Sequence, residues 1–275
     1  SGVGIYGNYI GMNSSGTVIQ SSLGIYVQGS STTIGSATGS GRNYIGGHSG
    51  VGNAEITFQN AATATVVANH IGLKPDHTAT SHEAGIIVTG SSSNITIGAT
   101  GSSTDYNVLG GASVECIIVP AGTTVTNLVI KGNLIGTTPD ETGDRGCTDS
   151  GIKLASGDGI YIGRDVAGSS YAENVIAKSG NGIAIISGTA TNVYVAKNMI
   201  GVSRSGTSYG ALGNDVNGIV IEGGSNLTIG GTGTNDGNVI GSNVAAGISI
   251  NGVDSVTIRR NYIGATPALA ARANL

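Results

Sequence analysis

Short apolar runs of two to four residues recur along this chain at a near-constant distance. The plainest is an Asn-x-Ile-Gly tetrapeptide. It stands at Asn8-Tyr9-Ile10-Gly11, Asn69-His70-Ile71-Gly72, Asn133-Leu134-Ile135-Gly136, Asn198-Met199-Ile200-Gly201 and Asn261-Tyr262-Ile263-Gly264, with spacings of 61, 64, 65 and 63 residues. A second set falls between them at Asn43, Asn107, Asn174 and Asn238, so the true unit is about half as long. Two further runs precede each Asn motif. One reads Gly-Ile-x-Val/Ile, as at Gly24-Ile25-Tyr26-Val27 and Gly182-Ile183-Ala184-Ile185; the other reads Asn-x-x-Ile/Val, as at Asn94-Ile95-Thr96-Ile97 and Asn226-Leu227-Thr228-Ile229. Within each run, apolar and polar positions alternate with the period of a strand.

Three short strands per unit, separated by Gly, Ser and Asn corners, predict a three-sided coil. One coil cannot bury its Ile and Val, but stacked coils bury them in a continuous core. Stacking sets like strands side by side, parallel and about 4.8 Å apart. The count is eight full coils and a partial one at the start, a rod of roughly 40 Å at that spacing. The predicted inward columns are Ile25, Ile56, Ile86, Ile117, Ile152, Ile183, Ile219 and Ile248 on one wall, and Ile10, Ile45, Ile71, Leu109, Ile135, Ile176, Ile200, Ile240 and Ile263 on the Asn wall. Asn8, Asn43, Asn69, Asn107, Asn133, Asn174, Asn198, Asn238 and Asn261 then stack as an asparagine ladder, since the amide can bond backbone or another amide at a corner.

Composition agrees with an all-β solenoid. Gly contributes 49 of 275 residues, charged residues only 10%, and there is no Trp. Gly shows no three-residue period, which excludes collagen. The 39% apolar content and net charge of −4 argue against disorder. The basic residues are scattered, so no nucleic-acid stripe exists, and no apolar run approaches a membrane span. Cys116 and Cys147 are either one disulfide or two thiols.

The Asn-x-Ile-Gly, Gly-Ile-x-Ile and Thr-Ile-Gly-Gly repeats resemble those of right-handed parallel β-helix proteins of the pectate-lyase-like superfold, over residues 3–264. More narrowly they resemble extracellular bacterial or phage surface repeat proteins. The strict six-residue repeat of left-handed β-helices is absent. The resemblance implies an extracellular, cell-surface or virion-surface location. Its functional reach is wide, covering lyases, hydrolases, epimerases, tailspikes and adhesins. In polysaccharide lyases of this fold, a Lys or Arg removes a proton beside a uronate carboxylate and acidic residues hold Ca²⁺. Lys153 with Asp149 and Asp158 would imitate that set, and Ca²⁺ is the one ion it would bring; no other cofactor is called for. A hydrolase needs two carboxylates roughly 5–10 Å apart, for which Asp144 and Asp149 are the nearest pair in sequence. No active-site motif of the family matches residue by residue.

Other clusters read more plainly. His70, His77 and His82, with Asp76 and Glu83 beside them, have imidazole and carboxylate ligands but no zinc spacing, and His70 sits in an outward slot that favours a surface role. Gly2-Val3-Gly4-Ile5-Tyr6-Gly7 fits G-x-G-x-x-G without its strand or helix. Residues 230–236 nearly fit the calcium nonapeptide, once only. Outward Thr33, Thr96, Thr228 and Thr257 form a column that Val129, Tyr161 and Tyr194 interrupt, against ice binding. The outward slot of the Asn wall reads Tyr9, Tyr44, His70, Val108, Leu134, Val175, Met199, Val239, Tyr262. Such an apolar stripe needs a partner: another copy, another domain, or the chain's own loops. The expectation is lateral packing of rods, with Leu134 and Val175 pointing outward and replaceable by Asp without loss of the fold.

The sequence therefore predicts one β-helix domain over 1–275, either part of a longer array or one of a set of subunits stacked end to end, because residues 3–11 align with 256–264. Its expected role is structural and adhesive, displaying loops and associating with carbohydrate, with other copies of itself or with a longer parent chain. The alternative is a lyase or glycoside hydrolase acting on an acidic polysaccharide.

Overall fold

The computed structural model describes residues 2–38, 40–50, 52–98, 105–164, 172–204, 212–265 and 274. The chain is an all-β parallel solenoid with three walls per coil. The Asn motifs form a sheet of nine two- or three-residue parallel strands, from Tyr9–Ile10 to Tyr262–Ile263. The other two walls belong to one thirteen-stranded sheet. In four coils the chain passes from first to second wall without a break, as in Ile25–Ile34, Ala54–Val66, Ser150–Ile162 and Asn181–Val195. In the fourth coil Pro120 follows Glu115–Val119 and splits the strand, because proline supplies no N–H to the ladder.

The register matches the expected columns. Ile25, Ile56, Ile86, Ile117, Ile152, Ile183, Ile219 and Ile248 are successive partners on the first wall. With Leu128, Ile130, Ile160, Val193 and their kind they form one core running the length of the rod. Each fully buried Ile contributes about 1.5–3 kcal/mol. About seven turns are closed in this way, one fewer than the eight expected. The last rung, 248–263, leaves Ile250, Ile258 and Ile263 exposed because no coil follows it among the described residues.

All nine ladder asparagines are joined. Each side-chain N–H donates to the Oδ1 of the next, at 2.8–3.1 Å. The second amide hydrogen reaches a second-wall carbonyl of the preceding coil, as Asn133 does with Ile97 at 2.9 Å. Oδ1 also accepts a backbone N–H, as from Asn133 to Asn174 at 3.1 Å. The glycine closing the motif has a steric reason. At Gly136, φ is +80°, and a Cβ there would lie 1.8 Å from the Ala177 carbonyl oxygen.

A shorter ladder went unread in the sequence. Asn214, Asn243 and Asn274 are linked amide to amide at 2.8 and 3.0 Å at the corner entering the first wall. At the corner between first and second walls, Asn94, Asn127, Asn192 and Asn226 hold left-handed backbone at φ 52–53°, a conformation Asn tolerates.

Cys116 and Cys147 form a disulfide, with Cα atoms 5.6 Å apart. The loop after Ile135 returns on itself through the antiparallel bridge Thr137–Asp144, which brings Cys147 back by one turn.

The apolar stripe is corrected. Val108, Leu134, Val175 and Val239 are buried, Tyr44 and Met199 are half-buried, and only Tyr9 and Tyr262 at the ends are exposed. Leu73 and Tyr106 pack on Val108, Leu134 and Val175. The Arg204 guanidinium stacks 3.9 Å from the Tyr106 ring and pairs with Glu141 at 3.3 Å, tying loops of different coils together over the column. Of the three possible partners, the chain's own loops cover the middle of the stripe. His70 is buried with it, against the surface role expected of it.

Candidate functional site

The first wall carries a converging charge cluster on its outer face, built from Lys153, Asp149 and Glu115. Lys153 follows Ile118 in the outward column, one rung along the rod. Its ammonium donates to Asp149 Oδ2 at 2.6 Å and to Glu115 Oε1 at 2.8 Å. Burial alone would pull the Lys153 pKa down, but the hydrogen bonds to Asp149 and Glu115 outweigh it and hold it above its ordinary value. Burial pushes the Glu115 carboxyl up, and the Lys153 bond only partly offsets this. Asp149 is the exposed member.

Glu115 was absent from the sequence reading. It stands three residues before Ile118 on the neighbouring coil, in register with Ser150, so only the coil-to-coil alignment reveals it. Asp158 is elsewhere, at the corner between first and second walls. It accepts from Thr191 at 2.7 Å and Asn192 at 2.6 Å, bonds that hold its pKa down. Asp144 lies in the hairpin loop, 3.9 Å from Lys178 and accepting from the Gly146 N–H. The four residues proposed as catalytic therefore fall in three places, with Lys153 and Asp149 alone in contact.

Beside the cluster runs a groove of about 400 Å³ along coils one to four. Ile87, Ile118 and Thr57 form its floor. Leu23 and Tyr26, both more than two-fifths exposed, stand at the far end. Glu83 and Glu115 line it; no Lys or Arg does. The Glu83 carboxylate also accepts from the Gly52 N–H at 2.6 Å.

The histidines divide. The His70 and His77 rings pack tilted at 5.0 Å between centroids, and Tyr44 and His70 meet in a T-shaped contact at 4.9 Å. Burial, then the charges of Arg42 and His77, lower the His70 pKa to about 3. His82 belongs to a different, buried group in which Glu55 sits between His48 and His82. Among the described residues no set of three or more His, Cys, Asp or Glu side chains is arranged to hold a metal ion. The loop carboxylates instead close their own hairpins. Asp76 accepts from Thr78 at 2.7 Å, and Asp236 accepts from the Gly233 N–H at 2.7 Å within the near-nonapeptide. The outward column of the second wall reads Thr33, Thr65, Thr96, Val129, Tyr161, Tyr194, Thr228, Thr257, with the two tyrosines stacked at 5.2 Å.

No helix is long and apolar enough to cross a membrane among the described residues. No family model matches the chain, and no curated protein does. Among solved structures, the chain is similar to an alginate lyase from a Paenibacillus species at 13% identity, with 88% of each chain covered and a TM-score of 0.34. It is also similar to a hyper-glycosylated TibA fragment, at 13% identity over 94% of this chain and 97% of that one, with a TM-score of 0.14.

Proposed function

We propose that this chain is a rigid structural rod of an extracellular or virion surface that holds carbohydrate along its first wall without cleaving it. The observation that carries this reading is the state of Lys153. A lysine that removes a proton at neutral pH needs a depressed pKa. Lys153 is paired with two carboxylates and its pKa is raised, so its ammonium serves as a clip between coils four and five. Other polar groups support the same view: the amide ladders and the hairpin carboxylates are spent on coil-to-coil and loop contacts. The buried disulfide fits an oxidising compartment.

One observation favours a second reading. Glu115, raised by burial, and partly exposed Asp149 share the Lys153 ammonium beside the groove. Two neighbouring carboxyls, one of them pushed up by burial, are the groups a glycoside hydrolase uses. The deciding experiment incubates the protein with a panel of neutral and charged polysaccharides. Retention on a polymer, with no rise in reducing ends or in unsaturated-uronate absorbance, supports the structural reading. Reducing ends that disappear with Glu115→Gln establish the hydrolase. Unsaturated products that disappear with Lys153→Met establish the lyase.

A further inference from the structure

We infer that the first-wall groove takes a linear polysaccharide bearing amino groups, rather than a uronate polymer; this rests on the carbohydrate-holding role proposed above. The floor, half-buried Ile87 and Ile118 with Thr57 buried beyond them, is an apolar strip of the kind that packs against the C–H faces of sugar rings. From the Tyr26 rung to the Ile118 rung is three coil steps, about 14 Å, the length of a short oligosaccharide. The strip follows the rod axis, so its natural occupant is extended.

Charge then selects the polymer. Glu83 and Glu115 face the groove with no Lys or Arg among its lining residues. Lys153, beside the groove, is held by Glu115 and Asp149 together, so its charge is already matched and is not offered to a uronate. A uronate strand would bring a carboxylate on each sugar toward these groups, and like charges set close together are costly. An amino-sugar strand brings ammonium groups instead. Glu83, the half-buried carboxylate of the groove, can accept a charge-assisted hydrogen bond. At the far end Tyr26 offers an exposed ring to a cation. Its hydroxyl is already fixed by Gln59 and Gln28, which holds the ring in place.

The test is co-sedimentation of the whole chain with chitosan, chitin and a calcium alginate gel, for the wild type and for Glu83→Gln, Tyr26→Ala and the remote control Asp215→Asn. The expected result is binding to chitosan at least tenfold tighter than to chitin or alginate. That binding should weaken about tenfold with Glu83→Gln and with Tyr26→Ala and stay unchanged with Asp215→Asn. Equal binding to chitin and chitosan, or preference for alginate, overturns the charge assignment and leaves the carbohydrate-holding role standing. Chitosan binding that all three variants share, or that polylysine abolishes at equal charge, shows generic attraction for cations and overturns the groove. Binding to none of the polymers overturns both. Circular dichroism of each variant confirms that the solenoid is intact.

Discussion

His70 makes the chain sensitive to mild acid, and the size of the effect follows from its surroundings. The ring is 1% exposed, and neither nitrogen has a hydrogen-bond partner. Arg42 and His77 oppose a further positive charge there. Its native pKa of about 3 lies below the 6.5 of an exposed imidazole. Because the native pKa is depressed, the unfolded chain takes up the proton first. The stabilisation is fully present above pH 6.5 and is lost as pH falls toward 3. The slope in that window is about 1.4 kcal/mol per pH unit. Between pH 7 and pH 5 the loss from this residue is about 2 kcal/mol, and the figure holds as long as the native pKa stays below about 4. The perturbation is His70→Phe, which keeps an aromatic ring against Tyr44 and removes the titration. Urea unfolding of both proteins at pH 7 and pH 5 isolates the residue, since His82 and the carboxylates titrate in both. Wild type should lose about 2 kcal/mol more than His70→Phe over that interval. Equal losses in the two proteins would refute the reasoning.

Removing the disulfide by Cys116→Ala with Cys147→Ala opens a cross-link of sequence separation 31 and should cost about 3–4 kcal/mol, read as a lower melting temperature. Asn133→Ala in mid-ladder leaves the Ile97 carbonyl, the Asn107 amide and the Asn174 oxygen short of a partner; the expected loss is about 3 kcal/mol or more in urea. Leu134→Asp places a carboxylate at a 2%-exposed position under the loops and should cost at least 3 kcal/mol or prevent folding, whereas Tyr262→Asp at the exposed end should be tolerated. Lys153→Met leaves the buried Glu115 without its counterion, which raises its pKa further. Stability is then lost as pH rises through that value, so the variant should fall behind wild type more at pH 8 than at pH 5 in the same urea assay.

The inward columns and the Asn ladder were legible because each coil repeats them, and a period survives loops of unequal length. What a coil does not repeat was hidden. Glu115 meets Lys153 across 38 residues, and His48 and Glu55 are buried together at a single corner, so neither leaves a periodic trace. The outward stripe was visible as a pattern, but hydropathy alone does not tell a covered column from a bare one. What covers it, Tyr106 clamped by Arg204 and Glu141, comes from loops that differ from coil to coil. The corner asparagines such as Asn94 and Asn127 were noticed as strand starts; their left-handed backbone is the physical reason for the residue type.

The nine-membered amide chain has a direction. From Asn8 to Asn238 each side chain sends one amide hydrogen to the Oδ1 of the higher-numbered coil, while the other turns back to a carbonyl such as Ile97 of the coil before. An amide turned end for end would set N–H against N–H on one side and oxygen against oxygen on the other, so no single coil can reverse. Each coil therefore offers the same donor on one face and the same acceptor on the other, like a plug and socket of fixed gender. A coil can be duplicated or deleted within such a chain and the two cut faces still match. The rod's length is thus free to vary in whole coils while its polarity is not.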